Sequence, residues 1–181
     1  GKLASNVATL TINVLSVNDA PVITSNGGGE TADLSMAEND ADVTTVAATD
    51  VDAETTLTYS LSEGADMEKF SIDAASGELT FKTAPDFDIP GDADGNNIYI
   101  VTVQVSDGSL TDTQALAVTL TNVNEAPVIT SNGGGATADI SMAENDADVT
   151  TVTATDQEHA DLTFSISGGS DSGKFAIDSF T

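Results

Sequence analysis

The sequence has no cysteine and no tryptophan, one histidine, and only four basic residues among its 181 residues. Without cysteine the chain has no disulfide, no thiolate metal ligand and no thiol nucleophile. The four basic residues are all lysines, and thirty Asp and Glu residues outnumber them, which gives a formal net charge of −26. Nucleic-acid binding is excluded because neutralising phosphates requires clustered Lys or Arg. Binding to an anionic membrane surface is disfavoured for the same reason.

Long apolar runs and targeting segments are also missing. The longest strictly apolar runs have four residues, as at 98–101, whereas a membrane-spanning helix needs ~20. We therefore expect no direct membrane insertion. No signal peptide is present, so a secreted protein of this kind would have to be part of a longer chain.

The apolar residues that are present, 39% of the chain, follow a strand pattern. They alternate with other residues along 99–105 and again along 116–120, which is typical of half-buried strands. No window of 10–12 residues has a helical pattern, and the low hydrophobicity of disordered chains is absent. The chain is therefore predicted to be globular and all-β.

An internal repeat defines the predicted domains. Residues 20–50 and 126–156 are identical at 28 of 31 positions, with a period of 106 residues. A β unit of that length has the size of one sandwich domain, about 100 residues. We predict that 1–19 is the last strand of a preceding repeat, 20–125 a complete domain, and 126–181 the N-terminal half of the next domain. Within the complete domain, strands are predicted near 21–24, 31–36, 43–48, 56–62, 69–73, 78–82, 98–106 and 112–122.

The predicted half domain lacks the counterparts of 78–82 and 98–122. Its inner face should therefore expose four apolar residues, Phe164, Ile166, Phe175 and Ile177. An unpaired apolar sheet promotes aggregation, so we expect partial disorder or repair by another copy of the chain. The segment 1–17 is the one that would add to 126–181, in a strand-swapped or head-to-tail homo-oligomer.

Several acidic residues form a pattern at predicted strand ends. Two Asp-x-Asp pairs lie at 50–52 and 86–88, Glu38 follows an early strand, and Glu125 lies at the repeat boundary. Where the strand pleat continues through Asp-x-Asp, both carboxylates lie on one side, about 6–7 Å apart. Hard oxygen ligands without His or Cys select Ca²⁺ or Mg²⁺. The pattern therefore predicts a metal site.

The same segments carry a resemblance to a known family. In order, the chain contains MAEN at 36–39, ATDVD at 48–52, LTYSL at 57–61, FSID at 70–73, DFD at 86–88, VSDG at 105–108 and NVNEAP at 122–127. This series resembles the cadherin repeat in its bacterial adhesin form, over the whole chain. The resemblance implies Greek-key, immunoglobulin-like β-sandwich repeats of seven strands, with Ca²⁺ bound at the junctions between successive domains.

The resemblance also implies the ligands. At the complete junction they are Glu38, Asp86 and Asp88 of the upper domain, Asn122, Asn124 and Glu125 of the linker, and Asp156 and Glu158 of the lower domain. At the half junction before the complete domain they are Asp19 with the backbone of Asn18, and the side chains of Asp50, Asp52 and Asp107. Since Ca²⁺ takes about 6–8 oxygens, the eight side chains of the complete junction would hold about two ions.

The function expected from these features is structural and adhesive. We expect a calcium-binding repeat of a large extracellular adhesin, secreted or attached to a bacterial outer membrane, in which junction calcium rigidifies the domain array. Its expected partners are the neighbouring repeats and a cell-surface protein or polysaccharide. Enzymatic activity is not expected, since His159 is the only imidazole available to a serine nucleophile. The alternative is a carbohydrate- or partner-binding module of a secreted enzyme, with Phe87 as its one loop aromatic.

Overall fold

The computed structural model describes residues 1, 3, 6, 8–52, 55–158 and 161–180. These residues contain eleven strands and three short 3-10 helices, so the all-β prediction is confirmed. The strands are β1 (Val22–Ile23), β2 (Thr31–Ala37), β3 (Asp42–Thr45), β4 (Ala48–Thr49), β5 (Thr58–Glu63), β6 (Phe70–Ile72), β7 (Glu78–Phe81), β8 (Ile98–Ser106), β9 (Thr111–Thr121), β10 (Val128–Ile129) and β11 (Ala154–Thr155). The 3-10 helices are Met67–Lys69, Ser131–Gly133 and Ser172–Lys174.

The strands β1–β9 form a β-sandwich. One sheet has the order β2-β9-β8-β5, and another has the order β3-β7-β6. β8 pairs antiparallel with β9 and with β5, whereas β2 runs parallel to β9, from Thr31 opposite Ala115 to Ala37 opposite Thr121. β1 and β4 form a separate two-stranded ladder. Both larger sheets contribute side chains to one hydrophobic core.

The core follows from the alternation along the two longest strands. In β9, every second residue from Gln114 to Leu120 is buried. In β8, Val101, Val103 and Val105 are fully buried. Three aromatic rings pack together within the core, with the Phe70 and Phe81 centroids 4.3 Å apart and Tyr99 edge-on to both. Burial of this apolar area is the main stabilising contribution to the sandwich.

One predicted strand is wrong in its extent. The segment 43–48 is divided into β3 and β4, because its backbone changes partners. The Val46 N–H donates to the Gly77 carbonyl at 2.8 Å, and the Ala47 carbonyl then accepts the Thr24 N–H at 2.8 Å. The chain thus leaves the ladder with β7 and joins the ladder with β1.

Among the described residues, the second copy of the repeat reproduces only the ladder between β1 and β4. β10 pairs with β11 as β1 pairs with β4, with Val128 opposite Thr155. As predicted, Phe175, Ile166 and Ile177 are exposed, by 55%, 40% and 36%, while Phe164 is half-buried. The described residues before Pro21 pair with no strand in this chain. The division into repeats at 19 and 125 therefore stays a prediction.

No helix in the described part of the chain has the length and apolar character needed to cross a membrane.

Candidate metal centre

The centre is built around Glu38, which directly follows β2 and is only 3% exposed. Its Oε2 accepts the Phe87 N–H at 2.6 Å, and its Oε1 accepts the Val123 N–H at 2.7 Å. Its own N–H donates to the Thr121 carbonyl. One buried carboxylate thereby fixes both the loop after β7 and the linker after β9 to the same end of the sandwich.

Turns rather than strands position the Asp-x-Asp carboxylates. Asp86 Oδ1 accepts the Ile89 N–H at 3.0 Å, and Asp50 Oδ1 accepts the Asp52 N–H at 2.8 Å. An Asp side chain that accepts a backbone N–H two or three residues ahead stabilises a turn. The strand pleat therefore does not continue through either pair, and the geometry expected for a continuing strand is not the one found.

Two groups of three carboxylates meet at this end of the sandwich. Oxygens of Glu38, Asp86 and Asp88 lie within 4.8 Å of one another, and so do oxygens of Asp88, Glu125 and Glu158. Asp88 belongs to both groups. The two groups combine the loop after β7, the linker after β9 and the segment after β11, so residues on both sides of the linker face one another.

Hydrogen bonds hold the linker to both sides. The Glu125 N–H donates to Glu158 Oε1 at 2.9 Å, and Asn39 Nδ2 donates to Glu125 Oε1 at 2.6 Å. Gln157 Nε2 donates to Asp86 Oδ2 at 2.7 Å. Of the remaining predicted ligands, Asp156 is half-buried beside the Glu158 carboxyl, while Asn122 and Asn124 are exposed in the linker.

The contact between Glu125 and Glu158 is electrostatically unfavourable for two charged carboxylates. Hydrogen bonding to Glu158, followed by burial, raises the pKa of Glu125 to about 7. The hydrogen bond that the Glu125 backbone N–H donates lowers the pKa of the Glu158 carboxyl. Below about pH 7, Glu125 is thus the group of this pair that retains a proton when no cation compensates the pair. The two ion pairs among the described residues, Lys82–Glu68 and Lys174–Asp171, lie outside the cluster.

The donor set fits Ca²⁺. Glu125 Oε2 and Glu158 Oε2 are inaccessible to solvent and accept no hydrogen bond within the described residues. Such oxygens cost free energy unless a proton or a cation compensates them. All the donors are hard oxygen ligands, as Ca²⁺ prefers.

The predicted half junction lies at the opposite end of β9, and among the described residues its carboxylates form no group of three with oxygens within 4.8 Å of one another. Asn18 Nδ2 donates to Asp107 Oδ2 at 2.7 Å, and the Asp19 N–H donates to Asp52 Oδ2 at 2.8 Å. The Asp19–Asp52 bond is the counterpart of the Glu125–Glu158 bond. Asp50 Oδ2 is inaccessible to solvent and has no partner among the described residues. Hydrogen bonds from the Leu110 N–H and the Asn18 side-chain amide lower the pKa of the Asp107 carboxyl.

Comparison with known proteins agrees with this architecture. Residues 33–121 match the family model of the cadherin domain. The chain contains a cadherin-like domain. The chain is 29% identical over 183 residues to cadherin-related family member 2 of Mus musculus, covering 96% of this chain and 13% of that protein. It is 27% identical over 179 residues to protocadherin Fat 1 of Homo sapiens, covering 94% of this chain and 4% of that protein.

The chain thus spans only a small part of either curated relative. The fold of the cadherin-like domain also has a counterpart among solved structures. The protocadherin gammaB7 EC3-6 cis-dimer structure matches with a TM-score of 0.51 and 24% identity, over 96% of this chain and 45% of that chain.

Sequence reasoning missed two residues of the centre, Asn39 and Gln157. Asn39 adopts a positive φ of 64°, which Asn tolerates better than most residues and which turns the chain beside Glu38. Gln157 occupies the position of Val51 in the first copy, which is 80% exposed. This change from an apolar to a hydrogen-bonding residue between the two copies is the sequence signal that could have identified Gln157.

Phe87, the loop aromatic of the carbohydrate-binding alternative, is half-buried and packs against the core of the cadherin-like domain. It therefore offers no exposed platform for a sugar ring. His159 lies outside the described residues.

Proposed function

We propose that this chain is a calcium-binding structural repeat of a large extracellular adhesin, in which the junction centre rigidifies the array of domains for adhesion to a cell or a surface. The thirteen residues assigned to the two junctions are its ligands in this proposal, Asn18 through its backbone. Presentation on a bacterial surface, by secretion or by attachment to the outer membrane, is part of the proposal and rests on the sequence motifs. The immediate partners are the neighbouring repeats.

The observation that supports this proposal is the pair of carboxylate groups that share Asp88 at the linker. Asp88 belongs to two carboxylate groups, and the second of them includes Glu125 of the linker and Glu158 beyond it. A group confined to one domain would stabilise that domain alone. A group that joins residues on both sides of a linker also restrains the relative orientation of the two sides.

The mechanism follows from the charges of these residues. Two carboxylates about 5 Å apart repel by roughly 0.8 kcal/mol in water, and more when partly desolvated. A bound calcium ion supplies the positive charge that this cluster lacks. When Glu125 is ionised and no cation is bound, the carboxylates repel one another and the linker 122–126 is free to bend. Glu38 keeps the linker end next to the loop after β7 in either state, because its bonds are to backbone N–H groups.

Calcium-dependent thermal stability tests the binding. Sites of extracellular modules have dissociation constants of ~10⁻⁴–10⁻³ M, and stabilisation should follow RT ln(1 + [L]/Kd), about 2.7 kcal/mol at a hundredfold excess over Kd. We expect this gain to disappear in the double variant Asp86→Asn with Asp88→Asn. Asp33→Asn with Glu78→Gln removes the same charge from exposed strand positions and is the matched control. Full stabilisation of the Asp86/Asp88 variant would contradict the ligand assignment.

Small-angle scattering tests the rigidification. The wild-type chain should have a larger maximum dimension and a narrower distribution of distances in calcium than in a chelator. Equal dimensions under both conditions, with binding demonstrated by the thermal experiment, would show that calcium stabilises the domain without stiffening the junction.

A further inference from the structure

Asn97 directly precedes β8 and is a buried polar residue outside the two carboxylate groups. Its Nδ2 donates to the Phe87 carbonyl at 2.8 Å. Its Oδ1 is inaccessible to solvent and accepts no hydrogen bond within the described residues. The amide cannot turn over to relieve this, because its oxygen would then face the Phe87 carbonyl oxygen. Asn97 therefore combines one good hydrogen bond with one buried acceptor that has no donor.

Stability of the ion-free domain alone does not explain an Asn at this position. The backbone of Asn97 has a φ of +62°, a conformation that Gly adopts without steric cost. A buried acceptor without a donor costs free energy, and Gly would carry no such acceptor. Residues that break a local rule of this kind are expected at functional sites. The bond from Nδ2 to the Phe87 carbonyl indicates which site is concerned.

This bond is made to the backbone between two of the assigned metal ligands. The Phe87 N–H belongs to the peptide unit that follows Asp86, and it donates to Glu38 Oε2 at 2.6 Å. The Phe87 carbonyl belongs to the next peptide unit, which leads to Asp88 and accepts the Asn97 amide. One buried side chain thus holds each peptide unit. Because a peptide unit is planar, holding both restricts the directions in which the two Asp side chains leave the backbone.

We propose that Asn97 is a positioning residue of the calcium centre, which orients Asp88 through the Phe87 carbonyl. This inference rests on the proposed calcium-binding function. Asp88 is common to both carboxylate groups, so its orientation affects both of them. A ligand that is oriented before the ion arrives loses less conformational freedom on binding. Asn97 thereby increases the calcium affinity of the junction.

The backbone of Asn97 is itself held at the linker end of the sandwich. Its carbonyl accepts the Leu120 N–H at 2.9 Å, just before β9 ends. Asn97 therefore connects the end of β9, which leads into the linker, to the loop that carries Asp88. Glu38 makes a corresponding connection from the end of β2, through the Phe87 N–H. The loop is thus held from two different strands of the same sheet.

The turn before β8 does not depend on the Asn97 side chain. Asp92 Oδ2 accepts the Asn96 N–H at 2.9 Å, and Asp92 Oδ1 accepts the Asn97 N–H at 3.1 Å. Asn96 Oδ1 accepts the Ile98 N–H at 2.7 Å. These bonds use the backbone of Asn97 or the side chains of other residues. Removal of the Asn97 side chain should therefore leave the turn in place.

Calcium titration of the Asn97→Gly variant tests the proposal, because Gly keeps the left-handed backbone and loses the amide. The backbone amide resonances of Val123 and Glu125 report binding at the complete junction of the full chain. We expect the calcium affinity there to fall about tenfold to a hundredfold, as is typical when a residue that orients a metal ligand is lost. The resonances of Asp52 and Asp107, at the half junction, should titrate as in the wild-type chain.

Asn26→Gly is the matched control. Asn26 also has a positive φ, +51°, and its side chain bonds to Gln114 and Thr44 near the start of β9, away from the linker. This variant should unfold at a lower urea concentration, because both of its bonds are lost, yet bind calcium at the complete junction with wild-type affinity. A structural loss of this kind therefore separates stability from affinity.

Relaxation of ¹⁵N in a chelator measures the positioning without any ion. The order parameter of the Asp88 N–H should fall from about 0.85, typical of a rigid backbone, to below about 0.6 in Asn97→Gly. Val101 and Val103, which are fully buried in β8, should keep their wild-type values. An unchanged order parameter at Asp88 would show that Asn97 does not hold the loop and would overturn the proposal.

The remaining outcomes also decide the proposal. Equal calcium affinities of the wild-type and Asn97→Gly chains at the complete junction would overturn it and leave the proposed function intact. So would an equal fall at both junctions, or an Asn97→Gly chain that is unfolded in a chelator, since each indicates a general stabilising role. Absence of calcium binding by the wild-type chain would overturn this proposal together with the proposed function.

Discussion

At the scale of single residues, Glu38 has the largest structural role in the candidate centre. It is nearly inaccessible to solvent, and both of its carboxylate oxygens accept backbone N–H groups. The sequence predicted it as a metal ligand but did not indicate these bonds. They join positions 49 and 85 residues away in the sequence. Glu38 thus stabilises the folded chain whether or not the centre binds an ion.

Replacing Glu38 by Gln should destabilise the calcium-free protein. The amide keeps one acceptor oxygen and places an NH₂ group against a backbone N–H donor. Loss of a hydrogen bond to a charged group, with one donor left unsatisfied, costs about 1–3 kcal/mol. Urea unfolding in the presence of a chelator measures this loss. Glu144→Gln is the matched control, because Glu144 is the same motif residue in the second copy and is exposed. Equal losses in the two variants would contradict the structural role of Glu38.

At the scale of strands, the long elements could be predicted and the short ones could not. β8 and β9 follow the period-two alternation of their sequences, because one face of β8 is buried from Tyr99 to Val105 and one face of β9 from Gln114 to Leu120. β3 and β4 share one continuous sequence pattern, yet they belong to different ladders. Their division depends on the hydrogen-bond partners of two adjacent residues, the Gly77 carbonyl for Val46 and the Thr24 N–H for Ala47, which lie next to different ladders.

The turn before β7 provides a test of this division. Gly77 has φ of +74°, and its carbonyl accepts the Val46 N–H. A Cβ at this position would lie 2.2 Å from the Val46 carbonyl oxygen. Gly77→Ala therefore combines a strained backbone with a steric clash. We expect a loss of about 3 kcal/mol or more in urea unfolding.

Gly95→Ala separates the two effects. Gly95 has nearly the same φ, +73°, but a Cβ there would meet no atom within 4 Å. Only the cost of the left-handed backbone remains, about 1–2 kcal/mol. If both variants lost the same stability, the close approach of Gly77 to Val46 would not contribute.

At the scale of the whole molecule, the dominant property is the charge of −26. Part of this charge is concentrated in the carboxylates of the two junctions, and the rest is spread over exposed turns and strands. Such a charge keeps the protein soluble but destabilises the compact state through self-repulsion. The free energy of unfolding should therefore depend strongly on ionic strength when no calcium is present.

Raising NaCl from 0.01 M to 0.5 M in a chelator should raise the melting temperature by several degrees. The Debye length falls from about 30 Å to less than 8 Å over this range, so repulsion between exposed carboxylates is screened. Differential scanning calorimetry measures the change. Choline chloride should have the same effect, because screening does not depend on the identity of the cation. Stabilisation by NaCl alone would instead indicate sodium binding.

The sequence by itself determined the repeat, the all-β character, the long strands and the segments that carry the carboxylates. These features are local, since alternation and motifs involve residues that are near one another along the chain. Only the tertiary structure decided that Asp88 belongs to two groups, that Gln157 bonds to Asp86 and that turns position the Asp-x-Asp pairs. Gln157 and Asp86 are 71 residues apart, and no local pattern specifies which distant residues meet when two sheets and a linker close on each other.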